Sequence, residues 1–118
     1  MPKFHNRVKF LRHDILVVSL DRDDRHTAFV DVCPETTLLL HEHKWHAYFS
    51  VKRKSGERTY YMAANTGDRK QGYKRILFHR CYMELLGVKS SHDVAFIDGD
   101  GLNCTRRNIK VEPDRTTL

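Results

Sequence analysis

Basic side chains are the first residues whose spacing suggests chemistry. Between positions 51 and 80 stand Lys52, Arg53, Lys54, Arg58, Arg69, Lys70, Lys74, Arg75 and Arg80, opposed in that stretch only by Glu57 and Asp68. Arg106, Arg107 and Lys110 follow nearer the C-terminus. Clustered cations bind phosphates by charge and by release of counterions, so a run of this kind points to a polyanion. Tyr60, Tyr61 and Tyr73 are interleaved with the bases and offer rings that stack or hydroxyls that bond to phosphate. A solvated surface can carry the same charge run, so composition does not separate the two readings.

Groups suited to acid–base or metal chemistry are scattered. His79 stands beside Arg80, His92 beside Asp93, and Asp98 and Asp100 punctuate the sequence Asp98-Gly99-Asp100-Gly101. Asp and Gly are also the residues a tight turn favours, and the downstream ligands of a calcium loop are missing. His41, His43 and His46 have a spacing that could suggest a metal. No fourth ligand is evident, and Glu42 and Lys44 between them fit a solvated surface. No metal and no cofactor is expected.

The elements that must position these groups fit one domain of 118 residues. Lys and Arg number 21 against 15 Asp and Glu, a net charge of +6, while 40% of residues are hydrophobic, a globular balance. Cys33, Cys81 and Cys104 are odd in number and form no C-x-x-C pair, which argues against a disulfide framework and for a reducing compartment. The N-terminal stretch has no apolar signal core and no run reaches a membrane span, so the expected setting is cytoplasmic, with no membrane partner. Cys33 and Cys81 fit small buried residues.

Residues 1–12 alternate basic and apolar and form either an edge strand or a loose basic arm. Ile15 to Leu20 and Thr27 to Val32, around a polar Asp21–Asp24 turn, predict a β-hairpin. Glu35 to Glu42 could make a short helix. Trp45 to Lys52 alternates as a half-buried strand and pairs back with Arg58 to Ala63 through Lys54–Glu57. Residues 65–74 read as a polar loop. From Ile76 the four-residue spacing of Leu77, Cys81 and Leu85 predicts a helix ending at Gly87. Val94 to Ile97 is a short strand, and Asn103 to Val111 a loop entering a last helix. The expected class is α+β, with antiparallel hairpins ahead of a helix-containing C-terminal half.

That C-terminal half carries a pattern. Leu77-Phe78-His79-Arg80, Val94 through Leu102, and Arg106-Arg107-Asn108-Ile109 together resemble the small HNH endonucleases of phages and mobile elements. The resemblance covers roughly residues 13–111. It implies a ββα-metal unit after the hairpins, within one domain over 13–112, followed by a tail over 113–118. In that family an Asp-His pair on the strand helps hold a cation and activates water, and an Asn or His gives a second ligand. Here Asn108 and the earlier His79 remain, but Ala95 stands for the Asp and Phe96 for the His. Cys104 stands at the motif's middle Asn. A methyl group cannot ligate a hard cation and a phenyl ring cannot take a proton.

The resemblance therefore implies a phage-type, non-catalytic protein binding double-stranded DNA. Its contacts would be Lys52, Arg53, Lys54, Arg58, Arg69, Lys70, Lys74, Arg75 and Arg80, with Arg106, Arg107 and Lys110 on the final helix. Two alternatives stand beside it. One is an inhibitor or adaptor that binds a host DNA-processing protein, with the acidic 21–24 turn as a contact. The other is a nuclease whose site has moved to His79, His92, Asp93, Asp98 or Asn108.

Overall fold

The computed structural model describes residues 4–21, 25–68, 70, 72–89 and 92–112. Among them are nine strands in three sheets, two short α-helices and one 3-10 turn. The chain is thus mostly β. The expected architecture, hairpins followed by a single ββα-metal unit, is not what the chain forms.

The first sheet opens with β1 (Val8–Arg12), β2 (Ile15–Ser19) and β3 (Thr27–Asp31), joined antiparallel. Period-2 patterning selects its inner face: Leu16, Val18, Ala28 and Val30 are all buried. The hairpin expected from residues 15–32 is present, and residues 8–12 take the strand alternative as its edge. A fourth strand, β8 (Asn103–Cys104), joins parallel to β3 through Phe29 and Val30. It ties the C-terminal segment onto the N-terminal sheet.

Helix α1 (Pro34–Glu42) starts where proline presets the backbone at its first position. The Thr36 hydroxyl, fully buried, bonds back to the Cys33 amide and to the carbonyls of Asp31 and Cys33. The helix delivers Trp45, whose Nε1–H donates to the Leu39 carbonyl at 2.9 Å. Trp45 meets Phe78 edge-on, 5.0 Å between ring centroids, at the centre of the core with Leu40, Val30 and Met62. Truncating either ring would cost about 3–5 kcal/mol. Asn6 secures the entry to the next strand: its amide donates to the carbonyls of Ser19 and Trp45 and accepts from the Trp45 N–H.

The second sheet has the order β4 (His46–Val51), β5 (Arg58–Asp68), β6 (Gly72–Leu77), all antiparallel. Here the chain departs from expectation. Residues 65–68 and 72–74 are not a loop but the paired ends of two strands. At Gly67 (φ +96°) a Cβ would strike the Gly72 carbonyl, so the turn demands glycine. Ile76 and Leu77 belong to β6, and helix α2 (Phe78–Leu85) begins only afterwards. It ends as expected at Gly87 (φ +94°), with the Val88 N–H returning to the Met83 carbonyl at 2.9 Å.

The last sheet pairs β7 (Asp93–Phe96) with β9 (Ile109–Glu112). The expected final helix is instead β8, a 3-10 turn over Arg106–Asn108, and β9. Ile109-Lys110-Val111-Glu112 alternates with the period of a strand and is β-branched at every second position, which favours the ladder over a helix. No helix among the described residues is long and apolar enough to cross a membrane.

Candidate nucleic-acid interface

The three-stranded sheet has two unlike faces. Register places Ala47, Tyr60, Met62, Ala64 and Ile76 on one side, and these pack in or against the core. The opposite side carries His46, Tyr48 and Ser50 from β4, Thr59, Tyr61, Ala63 and Asn65 from β5, and Tyr73, Arg75 and Leu77 from β6. None of these side chains is acidic. Asn65, Arg75 and Ser50 are exposed, Tyr73 is 69% exposed, and Tyr48, Tyr61 and His46 are half-buried.

Arg75 is ordered by an aromatic ring: its guanidinium carbon lies 3.9 Å from the centroid of Tyr48. Burial first, and the Arg75 charge second, hold the His46 imidazole below its ordinary range. At neutral pH His46 therefore offers a neutral ring beside a fixed cation. The fold places the expected contacts unevenly. Lys52, Arg53 and Lys54 are exposed in the β4–β5 turn. Arg58 begins β5 and lies over Phe49 on the other face, 4.9 Å from its ring. Lys70 sits in the turn at the opposite end of the sheet, while Arg69 is outside the described residues. Lys74, on β6, points away from Arg75.

The remaining cations lie elsewhere. Arg80, on α2, donates to the His92 carbonyl at 2.7 Å and helps hold the segment before β7. Arg106 and Arg107 are exposed on the 3-10 turn, and Lys110 on β9 lies 3.4 Å from Glu112. Arg106 and Arg107 stand on a single-turn 3-10 helix and Lys110 on a strand, not on an α-helix.

The positions that the sequence pattern singled out converge in part. His79 is buried in the first turn of α2, its ring 4.6 Å from Phe96 and 6.0 Å from Tyr61. Its Nδ1 is buried without a hydrogen-bond partner. Burial first, then the Arg80 charge, push its pKa down to about 4, so the ring is neutral at pH 7. Asn108 is a clamp within its own loop. Its Nδ2 donates to the Asp98 carboxylate at 2.8 Å and the Asn103 carbonyl at 2.9 Å, and its Oδ1 accepts the Asp98 N–H.

Asp98 is exposed. Its slight burial raises its pKa, but hydrogen bonds from the Asp100 amide and from Asn103 and Asn108 outweigh this and hold it below the usual carboxylate range. Asp98 and Asn108 thus satisfy one another in a turn. Asp93 is exposed opposite Glu112, and His92 is half-buried. Among the described residues no His, Cys, Asp or Glu group could hold a metal, the histidines at 41, 43 and 46 included.

Sequence reasoning missed that Tyr48, Asn65 and His46 share a face with Arg75. Reading 65–74 as a loop removed β6 and, with it, the face that Asn65 shares with Arg75. The glycines at 67 and 72, flanking a short polar stretch between β-capable residues, were the available hairpin signal.

No family model matches the chain, and neither a curated protein nor a solved structure matches it.

Proposed function

We propose that this is a non-catalytic protein that binds double-stranded DNA through the exposed part of the second face of the β4–β5–β6 sheet, around Asn65, Tyr73 and Arg75, and the basic turns at its ends. The observation that carries the reading is a sheet face with no acidic side chain of its own, bearing Arg75, Asn65 and tyrosines and flanked by Lys52, Arg53 and Lys54, with Asp21 lining the hollow beside His46 and Asn65. Cations at a sheet margin meet phosphates, while polar and aromatic groups on the face meet the groove. β-Sheets are an established way to read DNA.

A distant relationship to HNH endonucleases belongs to the same proposal. It rests on the sequence pattern and on the contact between His79 and Phe96, the two relic positions. Ala95 and Phe96 cannot supply the ligand and the base that hydrolysis would need, and the Asn108 amide is already engaged by its own loop. A reducing, cytoplasmic setting, in a bacterial host if the chain is phage-encoded, fits Cys33, Cys81 and Cys104 as free thiols.

One observation favours a protein partner as a second reading. The edge strand β1 exposes Phe10 (68%) and Leu11 (59%), consecutive residues at its register irregularity, and unpaired apolar edges are templates for another chain. Of the acidic turn once considered for that role, residues 22–24 are outside the described residues.

A supercoiled-plasmid assay with magnesium or manganese across a salt series tests the proposal. Retarded, intact plasmid released by salt supports it. Metal-dependent nicking overturns the non-catalytic part, and absence of any shift favours the protein partner.

A further inference from the structure

The geometry points to direct base readout: we propose that Arg75 and Asn65 recognise a guanine and an adenine at a short fixed spacing in the major groove of B-DNA. The inference rests on the DNA-binding reading above and goes beyond it, since phosphate contacts by themselves carry no sequence information.

Arg75 and Asn65 are register partners on β6 and β5 and project from the same face. Their Cβ atoms are about 4.5–5.5 Å apart, as in any paired row of an antiparallel ladder, but the Arg75 guanidinium leans across β5 to Tyr48, so the two side chains address base pairs a short fixed distance apart rather than adjacent ones. Arg is the side chain suited to guanine O6 and N7, and Asn to adenine N6 and N7. The Tyr48 ring covers one face of the guanidinium. The N–H donors lie in the guanidinium plane, so stacking leaves its hydrogen-bonding edge open while fixing the plane. No carboxylate is paired with Arg75 among the described residues.

Dimensions favour this occupant. The B-DNA major groove, about 12 Å wide, admits two paired strands, and β5 and β6, which carry Asn65 and Arg75, are such a pair. The eleven residues of β5 extend roughly 33 Å at strand rise, so the basic turns at the two ends reach phosphates well apart along the duplex. The deep, narrow major groove of A-form RNA would not admit the sheet.

The test is selection of bound sequences from a pool of randomised 20-base-pair duplexes, for the wild type and the variants Arg75→Ala, Arg75→Lys, Asn65→Ala and Lys52→Ala/Lys54→Ala. All of these side chains are exposed, and circular dichroism checks that each variant folds. The wild type should enrich sites with a G and an A at one fixed, short spacing. Arg75→Ala and Arg75→Lys should abolish preference at the G, and Asn65→Ala at the A, each lowering affinity for the selected site by roughly 10–100-fold. Lysine keeps the charge, so Arg75→Lys should retain affinity for unselected DNA. The Lys52/Lys54 variant should bind all duplexes more weakly and keep the motif. An unchanged motif in the Arg75 and Asn65 variants, with duplex binding intact, overturns base readout and leaves DNA binding standing. Failure of the wild type to bind any duplex overturns both readings. Preference for single strands or RNA, through stacking on the tyrosines, overturns this one.

Discussion

Arg75 on β6 reaches across the central strand to Tyr48 on β4, its guanidinium carbon 3.9 Å from the ring centroid. β4 and β6 do not pair; β5 separates them. Between the Tyr48–Tyr61 and Asn65–Arg75 rows stands Ala63, fully buried although it belongs to the same face. A methyl group there leaves room for the two long side chains to meet. The small residue, the ring and the cation are thus one device that holds a positive charge at a fixed place on the sheet.

Removing the ring should release the charge without removing it. A cation–π contact at an exposed site contributes about 0.5–1 kcal/mol. Tyr48→Ala is expected to weaken duplex binding roughly 2–5-fold, and to leave the salt dependence unchanged because the cation remains. Fluorescence anisotropy with a labelled duplex at several salt concentrations measures both quantities.

The basic turn should behave in the opposite way. Each phosphate contact contributes about −0.9 to the slope of log K against log salt. Lys52→Ala with Lys54→Ala should flatten that slope by about 1–2 and leave thermal stability unchanged, since both side chains are exposed. A slope equal to the wild type would place the phosphate contacts elsewhere.

His79 makes stability depend on pH. Its folded-state pKa, pushed down to about 4 by burial and then by Arg80, lies below the ordinary value of 6.5. Between those values the unfolded chain binds the proton and the folded chain does not, so stability rises with pH. The contribution is complete above pH 6.5 and lost as pH falls toward 4, in total about 3 kcal/mol. Urea unfolding of wild type and His79→Phe should therefore diverge: the variant, which carries no proton and no orphaned Nδ1, should become the more stable as pH drops from 7 to 4.5. Parallel curves would contradict the assignment.

Gly101 should be the least replaceable glycine of the 98–102 turn. A Cβ there would collide with the Tyr60 carbonyl and the Tyr61 ring, whereas one at Gly99 meets nothing within 4 Å. Gly101→Ala is expected to cost roughly 3 kcal/mol, because the obstructing atom is backbone of a central strand. Gly99→Ala should cost roughly 1 kcal/mol through its positive φ alone. Thermal unfolding of the two variants separates the causes.

The parts of the fold legible in the sequence are those with local signals. The apolar runs from Ile15 to Leu20 and Thr27 to Val32 around a polar turn announced the first hairpin, and Gly87 announced the end of α2. What stayed hidden depends on distant partners. Gly67 and Gly72 were read as loop residues because the closeness of their backbones exists only once β5 and β6 pair. Ile76 and Leu77 fitted a four-residue spacing equally well on a helix or a strand until β5 claimed them. At the C-terminus, expectation of a helix overrode the plain alternation of Ile109 and Val111 with Lys110 and Glu112. The parallel pairing of Asn103 and Cys104 with Phe29 and Val30 joins segments more than seventy residues apart, and nothing local encodes it. At the site, the cations were legible as a list. Their division between a sheet face, two turns and a distant 3-10 turn was not.

The central claim is that the exposed part of the second face of β4–β5–β6, around Asn65, Tyr73 and Arg75, contacts double-stranded DNA. Titrating the isotopically labelled protein with a 20-base-pair duplex, followed by amide chemical shifts, tests it most directly. The account predicts shifts concentrated at residues 46–54, 59–66 and 70–75, reversed by salt, with α1 and the outer edge of β1 unaffected. Shifts confined to β1 or α1, or a spectrum that duplex leaves unchanged at low salt, would contradict it.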